Sequence, residues 1–122
     1  MATVDLTKEN FEATITGNDF VIIDFWAPWC GPCQSFGPVF SEVSEAHPDI
    51  VFGKVNTEAE TEIAGHFQVR SIPTLMIMRE QVILYAEAGA LPKSGFEELI
   101  NKARELDMAE VHKEIAAGEA AS

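Results

Sequence analysis

The stretch FWAPWCGPCQSF, residues 25–36, holds both cysteines of this 122-residue chain, Cys30 and Cys33, with Gly31 and Pro32 between them. It joins two segments of different period. Upstream, FVIIDFWA (20–27) is a near-continuous apolar run broken only by Asp24, the pattern of a central strand buried on both faces. Downstream, from Cys33 to Ala46, Phe36, Phe40 and Val43 recur at helical spacing, which predicts a helix ending before His47-Pro48. The cysteines therefore lie where a buried strand hands over to a helix. A strand buried on both faces needs a layer above and a layer below it, so the fold class is α/β.

The flanking sequence extends this frame. TKENFEATI (7–15) places Phe11 and Ile15 at helical spacing, with Thr7 as the expected N-cap. IVFGKV (50–55) is a second β-rich run. In NTEAETEIAGHF (56–67), Thr57 and Glu60 have capping-box spacing, which predicts a short helix from there to about His66. TLMIM (74–78) and VILYA (82–86) are close enough to form a hairpin. PKSGFEELINKAREL (92–106) is amphipathic, with Phe96, Leu99, Ile100 and Ala103 on one face. The order βαβαβαββα predicts parallel crossovers first, then an antiparallel hairpin and a closing helix. The sheet should be mixed and flanked by helices on both faces. No repeat or low-complexity linker interrupts residues 1–107, which read as one domain. In 108–122, Asp107 and Glu110 form a second capping-box pair. They predict a short C-terminal helical extension from Met108 to Ala117, stopped at Gly118 and docked through Val111 and Ile115.

Composition excludes several functions. A net charge of −12 with only eight Lys and Arg leaves no basic stripe for nucleic acid. No apolar run approaches the ~20 residues of a membrane span. The start, MATVDLTKEN, has neither the basic residues nor the apolar run of a signal peptide. The expected setting is the cytoplasm, and there a close cysteine pair is more often redox-active or metal-binding than structural.

Three roles compete for Cys30 and Cys33. A structural staple gains little, because closing a loop of about four residues is worth roughly 2 kcal/mol in the chain-entropy model. A zinc site needs about four ligands, while the chain has no second cysteine pair and His47, His66 and His112 fall in other segments and read as surface residues. A dithiol–disulfide switch fits best. Residues three apart on a helical turn have Cα atoms about 5 Å apart, within disulfide range. Cys30 at the helix N-terminus would have its thiolate favoured by unpaired N–H groups, and Cys33 would lie one turn in, shielded. Pro32 is tolerated in that first turn.

The whole set of motifs resembles the thioredoxin family, from about residue 4 to about 105. DFWAPWCGPC, the lysine of FGKVN, SIPT and the glycine of AGAL occur together in this order. The resemblance implies a thioredoxin fold and a general protein disulfide reductase that cycles the redox-active disulfide Cys30–Cys33. It implies no bound cofactor, disulfide-containing protein substrates, and re-reduction of a monomer by an NADPH-dependent thioredoxin reductase. Cys30 would be the nucleophile, Cys33 the resolving thiol, and Asp24 the buried proton acceptor with Lys54 as its charge partner. Gly31 and Pro32 would tune the potential. Trp29, Ile72, a cis Pro73, Ala88 and Gly89 would receive substrates, with Trp26 packing beneath. The alternative is a binding or chaperone module whose thiols are secondary; a disulfide oxidant is disfavoured by Gly31-Pro32. Two departures stand out. Thr57 replaces an apolar residue common at this rim, and MREQVI (78–83) has Gln81 where relatives carry the hairpin glycine.

Overall fold

A computed structural model describes residues 2–121, with side chains placed through Gly118. The elements run β1 (Thr3–Asp5), α1 (Phe11–Gly17), β2 (Phe20–Trp26), α2 (Gly31–Ala46), β3 (Val51–Asn56), α3 (Thr61–His66), β4 (Thr74–Arg79), β5 (Val82–Ala88), α4 (Lys93–Glu105) and α5 (Met108–Ala121). One five-stranded sheet has the order β1-β3-β2-β4-β5. The β1–β3 and β3–β2 ladders are parallel, and β2–β4 and β4–β5 are antiparallel. This is the mixed sheet that the order of elements predicts.

The period of β2 sorts the core into two layers. Phe20 and Ile22 join Phe36, Phe40 and Val43 of α2 and Phe96, Ile100 and Ala103 of α4 on one face. Val21, Ile23 and Phe25 join Ile15 of α1 and Ile63 of α3 on the other. Alternation puts Asp24 on the first face, the side that α2 covers. The same rule puts Lys54 there beside Phe52, and Asp24 and Lys54 are register partners across the parallel ladder. The first layer is held by phenylalanines: Phe40 stands 5.3 Å from Phe52 and 5.9 Å from Phe36 and Phe96, centroid to centroid. Gly53 lets the Leu6 side chain pack onto the second face, since a Cβ there would fall 2.4 Å from Leu6 Cδ1.

Three helix boundaries differ from expectation. Asn10, not Thr7, is the residue before α1; its Oδ1 accepts the Thr7 N–H at 2.7 Å. Thr57 caps nothing, because its N–H and hydroxyl both donate to the Trp26 carbonyl, and α3 begins at Thr61. In α5 the Asp107 cap is present, accepting the Glu110 N–H at 3.3 Å, but the helix continues past Gly118 to Ala121. Its anchor is Met108, 5% exposed, rather than the expected pair; Val111 is half-buried and Ile115 is 40% exposed. His112 Nε2 reaches Glu80 Oε1 at 3.1 Å and ties α5 to the hairpin turn.

That turn has two central residues, Glu80 and Gln81, between the register partners Arg79 and Val82. Their φ angles of 51° and 67° are the left-handed values that a tight hairpin requires and that side chains disfavour. Gln81→Gly should therefore raise stability by about 1 kcal/mol. Chemical denaturation of the two proteins checks this, and a lower midpoint for the glycine variant would show the turn to be unstrained.

Candidate active site

β2 ends at Trp26 and α2 begins at Gly31, leaving only Ala27–Cys30 to make the passage. The Cys30 N–H donates to Ala27 O at 3.2 Å, closing the turn, and Cys30 becomes the N-cap of α2 in extended backbone. Its Sγ accepts the Cys33 N–H at 3.2 Å, engaging one of the N–H groups that the first helical turn leaves unpaired. Pro32 occupies that same turn, where its lack of an N–H costs no helical bond. Pro38, further in, withholds the N–H that would pair with the Gln34 carbonyl, and α2 nonetheless continues to Ala46. No acidic residue stands in the first turn to offset the helix dipole.

The two sulfurs are joined, with Cα atoms 5.2 Å apart. Cys33 is shielded, at 4% exposed, and whole-residue exposure does not separate the two, since Cys30 is 4% exposed as well. Their neighbours do differ: Cys30 Sγ lies 3.7 Å from the carbonyl oxygen of Ile72. The Ile72–Pro73 peptide bond is cis. Pro73 O in turn accepts the Gly89 N–H at 2.8 Å, and Thr74 pairs with Ala88 across the β4–β5 ladder. Residues from three separated segments, 29–33, 72–73 and 88–89, are thus brought to one end of the sheet. Trp29 stands out from it at 68% exposed. Trp26 and Ile72 pack against Ala27, Cys30 and Cys33.

Asp24, on the α2 side of β2, is fully buried, and neither carboxylate oxygen has a hydrogen-bond partner among the described residues. Burial pushes its pKa up from 3.8 to about 7, opposed in part by the Lys54 charge. The Lys54 ammonium also lies 5.1 Å from the centroid of the Trp26 ring. A carboxyl that titrates near neutrality can hold or release a proton under ordinary conditions.

The histidines belong elsewhere, and one was misread. His47 is buried at 8% exposed rather than on the surface. Arg104 Nη2 donates to its Nδ1 at 2.8 Å, so the ring proton is on Nε2, which donates to Glu97 at 3.1 Å. A single His before a proline gives no sign of this, because its partners come from α4. A cleft of about 470 Å³ between Gly17–Phe20, Asp49, Arg79 and Arg104 is at the opposite end of β2. Three of its charged residues are engaged with protein groups: Arg104 is bidentate to Asp49, and Arg79 Nη1 donates to the Ala103, Arg104 and Leu106 carbonyls. Among the described residues no three His, Cys, Asp or Glu converge as a metal site, and no helix is long and apolar enough to cross a membrane.

A disulfide three residues wide at a helix N-terminus, beside a cis-proline loop and following a strand with a buried carboxyl, defines a thiol–disulfide oxidoreductase. The family model for thioredoxin matches residues 2–102, and the chain belongs to that family. It is 59% identical over 115 residues to a putative thioredoxin 2 of Streptomyces coelicolor, covering 94% of this chain and 86% of that one. It is 38% identical over 103 residues to a thioredoxin of Bacillus subtilis, covering 84% and 98%. A solved structure of Plasmodium falciparum thioredoxin superposes with a TM-score of 0.75 at 31% identity, covering 80% and 96%. The Streptomyces match spans all but seven residues, so wherever it starts it reaches at least residue 115, well into α5. The family's activity, protein disulfide reduction by a redox-active cysteine pair, is the activity of this chain.

The buried carboxyl makes stability depend on pH. Unfolded, Asp24 ionises near pH 3.8; folded, it stays protonated until about pH 7. Between these values the unfolded state binds fewer protons, so stability falls as pH rises, by something on the order of 4 kcal/mol in all. Asp24→Asn should accordingly stabilise the oxidised protein at pH 8, with the gain shrinking toward pH 4. Denaturant midpoints of both proteins at the two pH values test this; equal gains at both would remove titration of Asp24 as the cause.

Proposed function

We propose that Cys30 and Cys33 carry a two-step reduction of protein disulfides. The Cys30 thiolate attacks one sulfur of the substrate disulfide, forming a mixed disulfide and releasing the other substrate sulfur as a thiolate. Cys33 then gives its proton to Asp24 and attacks Cys30 Sγ. The second substrate sulfur leaves, and the two electrons lost by the cysteine pair have reduced the substrate. Lys54 limits how far the Asp24 pKa rises, and Gly31 and Pro32 set the geometry and potential of the pair. The observation that carries this reading is the closed Cys30–Cys33 bond at the N-cap of α2, facing the Ile72 carbonyl.

Trp29, Ile72, Pro73, Ala88 and Gly89 form the surface that receives the substrate backbone and its apolar side chains. The chain acts in the cytoplasm as a monomer without bound cofactor, and an NADPH-dependent thioredoxin reductase restores the dithiol. Residues 1–107 form the catalytic domain and 108–122 an extension that the chemistry does not use.

Lowering the Cys30 pKa cannot by itself account for the rate. Going from about 8.5 to about 7, the family's typical value, raises the thiolate fraction at pH 7 some ~15-fold. The weaker nucleophile gives back about fivefold. The net gain of about threefold leaves the larger part to the effective concentration of Cys33 beside the mixed disulfide.

The roles predict unequal variants. Cys30→Ser should form no adduct with a disulfide substrate, whereas Cys33→Ser should attack and stall as a covalent complex on a non-reducing gel. Adducts in equal amount on both variants would reverse the assignment. Truncation after Asp107 should leave reductase activity within about twofold while lowering the melting temperature, because burial of Met108 is lost. A melting temperature equal to that of the full chain would mean that α5 is not docked on its own domain.

A further inference from the structure

The loop leaving β3 is fastened to the loop leaving β2, and the fastening ends at the side chain next to the nucleophile. Thr57 donates twice to the Trp26 carbonyl, from its N–H at 2.8 Å and from its hydroxyl at 3.0 Å. The hydroxyl is therefore engaged inward and is not offered to a substrate. The following residue, Glu58, has its own N–H held by Asn56 Oδ1 at 3.0 Å. With its backbone set, Glu58 accepts the indole N–H of Trp29 through Oε1. Trp29 is 68% exposed, so little packing restrains it, and this bond is the one polar tether of its side chain among the described residues.

Charge distinguishes Glu58 from an ordinary tether. It makes no ion pair among the described residues. Of the other acids that follow on this segment, Glu60 accepts the Lys8 N–H and Glu62 pairs with the Lys8 ammonium at 3.6 Å. Lys8 is thus engaged with Glu60 and Glu62, on a chain of net charge −12. The carboxylate beside Trp29 is left without a cationic partner among the described residues.

We infer that Thr57 and Glu58 act as a specificity-determining clasp, which holds Trp29 in its receiving orientation and selects disulfides flanked by basic side chains. This rests on the reductase reading above. Glu58 is a positioning residue: it acts through the indole and through its field, and exchanges no proton or electron. Preorganising an exposed tryptophan lowers the ordering cost of binding. A rim charge mainly alters the rate of encounter, and does so less at high salt.

The test uses the reduced full chain and two disulfide-bridged peptides identical except for lysines or glutamates beside the bridge. Exchange of the Trp29 indole N–H with solvent is read separately by NMR. The wild type should reduce the lysine peptide about fivefold faster than the glutamate peptide at low salt, the size that an exposed charge contact supports. The difference should collapse at about 0.5 M salt. Glu58→Gln keeps an acceptor without the charge, so the two rates should converge while the indole N–H stays protected. Glu58→Ala should both erase the preference and expose the indole, raising KM for both peptides more than it lowers kcat. A preference that survives in Glu58→Gln, or an indole N–H equally protected in Glu58→Ala, would overturn the clasp. Failure of the wild type to reduce either peptide would overturn the reductase reading instead, and the indole measurement, which needs no substrate, would still decide whether Glu58 holds Trp29.

Discussion

Everything at the active end of this molecule hangs on β2 being covered on both faces. A strand in that position has no solvent-facing side, so each of its side chains must pack or be desolvated. Phe20 through Phe25 comply, and all but Asp24 are apolar. A four-residue passage from the C-terminal end of this strand leads into α2, and the cysteine pair occupies the start of that helix. Alternation along β2 puts Asp24 on the face that α2 covers. Moving the register of β2 by one residue would turn Asp24 toward α1 and α3.

The electrostatics of the site follow from how differently its acids are solvated. Asp24 is cut off from water and from hydrogen-bond donors, so its proton is held to about pH 7. Asp49, on the surface at the far end, is held down to about 2, chiefly by the hydrogen bond from Arg104. The same side-chain chemistry thus titrates near neutrality in one place and is a fixed charge in the other. Lys54 lowers the Asp24 pKa, but desolvation outweighs it.

Away from the site, the fold tolerates local strain where tertiary contacts hold it. Glu80 and Gln81 adopt left-handed backbone in the hairpin, and Glu80 also receives His112 from α5. Arg79, the last residue of β4, caps the C-terminal carbonyls of α4 with one nitrogen. Strand end, turn, α4 terminus and the start of α5 therefore form one connected corner. The 59% identity to the Streptomyces relative extends into α5, so this corner lies within the aligned length of both chains.

Much of this was legible in the residue pattern, because period and position along a strand are local properties. The apolar run 20–27, the helical spacing of Phe36, Phe40 and Val43, and the cysteines at their junction locate β2, α2 and the redox pair without any knowledge of contacts. The hairpin and the amphipathic α4 are read the same way, and Gln81, which stands where relatives carry the hairpin glycine, has positive φ together with its neighbour Glu80. What the pattern missed depends on where a polar group finds its partner. Thr57 has the spacing of a cap, but Trp26 lies 31 residues away in sequence and offers its carbonyl first. Thr7 yields to Asn10, His47 is buried by Arg104 and Glu97 from α4, and α5 is anchored by Met108 rather than by the pair at helical spacing. A hydrogen bond is short-ranged and directional, so only the folded chain, which sets distant segments side by side, decides which acceptor a given donor meets.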